Sequence, residues 1–145
     1  MKSTAHAAPL TPLASEPDAS RGHRLPDFVS LTKPRLNLLV LLTTLGGIYI
    51  AAPNGVPASL VLHTMVGTAL VAGGAAALNQ VWERRTDRLM RRTSRRPVAS
   101  GRVQAAEGAW FGILLGGVGL TELVVGVNIT AAWVAAVTLI SYVLF

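Results

Sequence analysis

The sequence predicts an all-α membrane protein, a polytopic bundle of four transmembrane helices, on three observations. Of the 145 residues 51% are hydrophobic and only 14% are charged, too apolar a balance for an ordinary soluble domain. Four stretches, 36–52, 58–78, 108–127 and 129–145, hold no Asp, Glu, Lys or Arg apart from Glu122. Each reaches or approaches the roughly 20 helical residues that cross a bilayer's hydrocarbon core. All 13 lysines and arginines fall outside these stretches.

Residues 1–28 are rich in Ala, Pro, Ser and His and lack an apolar run that would form a signal-peptide core. They are expected to be a disordered tail. Residues 29–145 hold the membrane domain. In "SLTKPRL", Thr32 and Pro34 suit a helix start, with a hydroxyl near the cap and proline in the first turn. Lys33 and Arg35 then stand at the membrane surface, as snorkelling anchors or as ligands for an anion. The connection "PNGVP" after the first span has no basic residue. Lys2, Arg21, Arg24, Lys33 and Arg35 precede the first span, and the other eight, Arg84, Arg85, Arg88, Arg91, Arg92, Arg95, Arg96 and Arg102, separate the second from the third. In a four-span topology all thirteen lie on one face, so the positive-inside rule puts the N-terminus and the 80–107 loop in the cytoplasm.

The third span carries Gly108, Gly112 and Gly116 at four-residue spacing, a flat face on which another helix can approach closely. Glu122 lies near the outer end of that span, within reach of headgroups or water, or serves a transport function as an intramembrane carboxylate. His63, early in the second span, reads as an interfacial or hydrogen-bonded histidine rather than a haem ligand. The last stretch stops at "ISYVLF" with no polar flank, and a carboxylate at that depth is costly. The chain is therefore expected to be part of a longer one. With no cysteine, disulfides, thiolate metal sites and cysteine nucleophiles are excluded.

The stretch "NQVWERRTDRLMRRTSRRPVASGR" from Asn79 carries the candidate chemistry. If the second helix continues through it, Asn79, Glu83 and Asp87 fall at i, i+4 and i+8, about 6 Å apart along one face. Two carboxylates at that spacing repel each other unless a cation lies between them. One reading supplies Mg²⁺, a hard ion held by one or two carboxylates together with substrate phosphates; no nearby His or Cys favours zinc or copper. The other reading pairs Glu83 and Asp87 with Arg84, Arg88 and Arg91 on a solvated helix.

The pattern NxxxExxxDxxMxRTxxRPxxSG, from Asn79 to Gly101, resembles the first aspartate-rich motif of the UbiA-type intramembrane prenyltransferases. Together with "LTKPRLNLLVLLTTLGGIYIA" it looks most like the protohaem IX farnesyltransferases, or haem O synthases, of that superfamily. The resemblance implies a bundle of about nine transmembrane helices in the plasma (inner) membrane, of which residues 29–145 form the N-terminal part. It implies a metal site at Asn79, Glu83 and Asp87, with glutamate at position 83 where many members have aspartate. Lys33, Arg35, Arg92 and Arg96 match basic positions for the diphosphate. The substrates implied are farnesyl diphosphate and haem B, giving haem O for haem–copper oxidase biogenesis, with a quinone precursor as alternative acceptor. The family's second aspartate-rich motif is not among the 145 residues, so they are expected not to catalyse the transfer by themselves.

Two rival classes leave more unexplained. A nucleic-acid module would set base-reading groups beside the arginines and lack apolar spans. A small four-helix transporter would use Glu122 but leave the Asn79–Gly101 pattern without a role.

Overall fold

The computed structural model describes residues 24–144, so the tail predicted over 1–28 lies outside it up to residue 23, as does Phe145. The described chain is all-helical: α1 (Arg24–Leu31), α2 (Pro34–Ala51), α3 (Ala58–Trp82), α4 (Arg84–Leu89), α5 (Ala105–Gly126) and α6 (Ile129–Leu144). Three of them, α2, α3 and α5, are long and apolar enough to cross a membrane; α6 is as apolar but only 16 residues long, about 24 Å at the helical rise. Residues 24–28, assigned to the tail from composition, belong to α1. Large apolar side chains such as Leu38, Leu42, Leu114, Val125, Trp133 and Ile140 face outward, an arrangement suited to lipid and hostile to water.

At the start of α2 the structure corrects the predicted cap. Pro34 does occupy the first turn, but the N-cap is Lys33, in the left-handed region at φ 47° and ψ 64°, and no side chain caps the helix. Thr32 Oγ1 instead donates backward to the Val29 carbonyl at 2.8 Å. A single left-handed residue thus turns the chain from α1 into α2. Gly55 turns it again between α2 and α3, at φ +84°, a conformation open to glycine at little cost.

The bundle is organised around α3, which packs on α2, α5 and α6. Its closest neighbour is α5, and the reason is the glycine stripe. Gly108, Gly112, Gly116 and Gly119 of α5 are buried, as are Gly67, Gly73 and Gly74 of α3. A Cβ built on Gly74 would stand 2.6 Å from the Gly116 nitrogen and 2.7 Å from the Gly112 carbonyl oxygen, so the two backbones touch directly. One apolar cluster, Val71, Leu123 and Ala132, locks α6 against this pair. A second, Leu31, Ala77, Val98 and Val103, joins α1 and the 90–104 segment to the other end of α3 and α5. There Phe28 and Phe111 meet edge to face, with centroids 5.1 Å apart.

The seam gives a direct test. Gly74→Ala should lower the thermal stability of the detergent-solubilised chain by about 1–3 kcal/mol, the usual cost of overpacking, because only backbone atoms stand in the way. Gly117→Ala, where nothing lies within 4 Å, should leave the melting temperature unchanged or raised.

Candidate functional site

The 3.6-residue periodicity of α3 runs almost unbroken into the charged segment. Helix α3 ends at Trp82 and α4 begins at Arg84, with Glu83 between them at φ −78° and ψ −2°. The i→i−4 bonds nonetheless continue across the break: Glu83 N–H donates to Asn79 O and Asp87 N–H to Glu83 O, both at 2.9 Å. Asn79, Glu83 and Asp87 therefore stay on one stripe. Asn79 is 8% exposed and Asp87 only 3%, while the Glu83 side chain is 41% exposed.

The cation that balances the two carboxylates is Arg96, none of the three arginines considered from spacing. Its Nη1 donates to Asp87 Oδ2 at 2.7 Å, to Asp87 Oδ1 at 2.9 Å and to Glu83 Oε2 at 3.3 Å. Arg84 instead caps the Val81 carbonyl and Arg88 the Ala99 carbonyl, at 3.1 and 3.0 Å, while Arg91 lies on the exposed surface. The 90–104 segment brings Arg96 back over α4 through a run of turns. Thr93, buried, donates its hydroxyl to the Asp87 carbonyl at 3.1 Å. Ser100 N–H bonds Arg96 O at 2.8 Å, and Gly101 turns the chain at φ +82°. Buried Val98 and Val103 anchor the segment below.

Two further contacts fasten this cap. Arg102 Nε donates to Asp27 Oδ1 at 3.0 Å and its Nη2 to Arg95 O at 3.1 Å, joining α1 to the loop across 75 positions. Gln80, 2% exposed, donates to Leu31 O at 3.1 Å, and its Oε1 is buried with no partner among the described residues. The sequence carried no local sign of the Asp27–Arg102 pair. Gln80 stands next to Asn79, but nothing in the sequence indicated that α1 would close over it.

The remaining candidates fall into two groups. Arg92 and Arg35 are exposed. Lys33 points along the start of α2 toward α6, with Nζ 3.4 Å from the Tyr142 hydroxyl and 5.9 Å from its ring centroid. Lys33 lines the mouth of an apolar groove of about 680 Å³ between α2, α3 and α6. The groove's α3 wall is Thr64, Thr68, Val71, Ala72, Ala75 and Ala76. Asn79 follows one turn beyond Ala75 and Ala76, so the polar stripe continues the groove's wall. Asn37, in the groove, donates to Ala69 O at 2.9 Å and leaves its buried Oδ1 unpaired.

At the opposite end of the bundle His63 and Glu122, read separately from the sequence, form a pair, with Nδ1 and Oε1 2.7 Å apart. Gly126 lies against the imidazole, where a Cβ would come within 2.5 Å. The pair links α3 to α5 where both are part-exposed and stands far from the arginines.

Among the described residues no three His, Cys, Asp or Glu side chains group to form a metal site by themselves. Asn79, Glu83 and Asp87 supply hard oxygen donors and a nearly buried carboxylate that the protein already balances with a cation. This set fits a hard divalent ion that completes its shell with phosphate oxygens and water, and it does not fit zinc or copper.

Residues 40–145 match the UbiA prenyltransferase family. The chain is 46% identical over 116 residues to the protoheme IX farnesyltransferase of Legionella pneumophila (strain Corby), covering 80% of this chain and 40% of that protein. It is 48% identical over 118 residues to the protoheme IX farnesyltransferase of Myxococcus xanthus (strain DK1622), covering 81% and 40%. With the protein of that name from Stutzerimonas stutzeri (strain A1501) it shares 43% identity over 133 residues, covering 92% and 44%. The chain thus spans about two-fifths of the length of these relatives. No solved structure matches it significantly.

The Asp27–Arg102 contact holds the loop that carries Arg96. Arg102→Ala should speed amide hydrogen exchange at Arg96, Ser100 and Val103 roughly tenfold, matching ~1.5 kcal/mol for a charge-assisted hydrogen bond. Exchange at the glycines of α5 should not change.

Proposed function

From the premise that this chain belongs to the UbiA prenyltransferase family, we propose that it takes part in transferring a farnesyl group from farnesyl diphosphate to a vinyl group of haem B, forming haem O. The observation that carries the reading is the position of the Asn79–Glu83–Asp87 stripe, with Arg96 at its face, at the head of the apolar groove. A diphosphate needs cations and a polyprenyl tail needs a dry slot, and here the two environments adjoin. The relatives' names supply the acceptor.

In this reading Asn79, Glu83 and Asp87 hold Mg²⁺, while Arg96, Arg92, Lys33 and Arg35 hold the diphosphate. The metal supplies Lewis-acid neutralisation of the leaving group's charge. The arginines add planar forks that meet phosphate oxygens in pairs, already oriented before the C–O bond breaks. The bond's electron pair leaves with the diphosphate. The allylic carbon accepts the vinyl π electrons to form the new C–C bond, and water adds to the resulting cation with loss of a proton. The groove between α2, α3 and α6 excludes water from the tail, a role suited to its Ala, Val, Leu and Thr walls.

The same reading takes α6 as a fourth span of a larger, about nine-helix bundle in the plasma (inner) membrane. It puts the arginine-bearing end in the cytoplasm, on the positive-inside rule, with α1 and the residues before it on the same side. The Arg102–Asp27, Gln80–Leu31 and Arg24–Glu107 contacts are consistent with α1 and the 90–104 segment sharing that face.

Haem O formed from haem B and farnesyl diphosphate, in membranes containing a complete protein that carries these residues, is the measurement. Asp87→Asn should lower that rate at least about a hundredfold, since even outer-shell partners of a metal cost up to that much. An unchanged rate and Mg²⁺ dependence would remove Asp87 from the metal site. Prenylation of a quinone precursor in place of haem would overturn the acceptor and leave the site.

A further inference from the structure

The contact between Arg96 and the two carboxylates has a consequence for how the site fills. Building on the metal–diphosphate reading, we infer that Arg96 is an internal stand-in for the metal: it occupies the carboxylates of Glu83 and Asp87 while the site is empty of ligand and transfers to the diphosphate when the two ligands arrive together. The geometry supports the exchange at both of its ends. At the carboxylate end, one nitrogen, Nη1, makes all three contacts, at 2.7, 2.9 and 3.3 Å. The Asp87 carboxylate is 4% exposed, and a buried carboxylate without a cation is strongly disfavoured. At the other end, Nη2 and Nε of Arg96 have no partner among the described residues, and the side chain is 27% exposed. Those free donors are the fork that grips a phosphate. The side chain sits on a run of turns rather than a helix, so it can swing without disrupting α3 or α4.

A metal arriving alone has to displace Arg96 and leave the guanidinium with no anion. A metal arriving with a diphosphate gives Arg96 new anionic oxygens as it vacates the old ones. Each ligand therefore strengthens the other, and by linkage the coupling is reciprocal. The site discriminates against free Mg²⁺ although its oxygen donors suit it, and responds to the metal–diphosphate pair.

The test measures binding to the purified chain rather than turnover. Mg²⁺ alone, and preformed Mg²⁺–pyrophosphate, are titrated calorimetrically into the wild-type chain and Arg96→Gln, with the melting curve of each recorded. Arg96→Gln should bind Mg²⁺ alone about tenfold more tightly than wild type, within the usual range of coupling between sites. It should bind Mg²⁺–pyrophosphate less well than wild type does. Adding Asp87→Asn should remove the Mg²⁺ binding gained. If Arg96→Gln folds only when Mg²⁺ is present, the metal is replacing the lost guanidinium, as expected. Arg96→Lys, which keeps the charge on a single-headed group, should remain folded without metal and bind Mg²⁺ alone as weakly as wild type. Equal or weaker Mg²⁺ affinity in Arg96→Gln would overturn the exchange while leaving the metal site in place. Folded chains that bind neither Mg²⁺ nor Mg²⁺–pyrophosphate in any variant would overturn the site itself.

Discussion

Backbone groups in lipid have no water to bond, and that constraint places the chemistry of this chain. Among the described residues the non-helical ones gather at the two ends of the spans: 32–33, 83 and 90–104 at one, 52–57 and 127–128 at the other. Irregular backbone is tolerated where it meets water or is covered by protein. Only there can a loop fold back to set an arginine against carboxylates on the same helix. Accordingly Arg96, Arg102, Asp27, Glu83 and Asp87 cluster at one end, and residues 71–77 of α3 are Gly, Ala and Val alone.

The arginine-bearing end is built in layers. The lowest is apolar: Leu31, Ala77, Val98 and Val103 with the Phe28–Phe111 pair. Above it run directed polar contacts from Gln80 to Leu31, from Thr93 to Asp87 and from Arg102 to Asp27. The uppermost is the exposed arginine surface. The apolar layer fixes the loop's depth and the polar layer fixes its register, so the Arg96 guanidinium meets the Asp87 carboxylate through a geometry set by residues that bond neither of those two groups.

The spans were legible because they depend on composition over about twenty residues, and the glycine spacing of α5 announced its packing face. The stripe of Asn79, Glu83 and Asp87 was legible because helical periodicity needs no tertiary information. What surrounds it was not. Sequence proximity suggested Arg84, Arg88 and Arg91 as partners, but those on α4 point to nearby carbonyls, and the turns beyond it deliver Arg96 from nine residues away. The Thr32 hydroxyl bonds back into α1 because Lys33 takes a left-handed turn, a conformation that a Lys–Pro pair does not advertise. His63 and Glu122 are 59 positions apart, and only the pairing of α3 with α5 brings them together.

The glycine seam also bears on the order of assembly. Glycine and alanine lose no side-chain freedom when two helices meet, so where the α3 and α5 backbones touch, at Gly74, Gly112 and Gly116, they join at little rotamer cost. They are successive long spans separated by residues 83–104, which pack back on the pair through Val98 and Val103 rather than standing off as a free loop. The pair with the closest backbone contact is the natural nucleus of the bundle, onto which α2 and α6, with their larger side chains, condense afterwards.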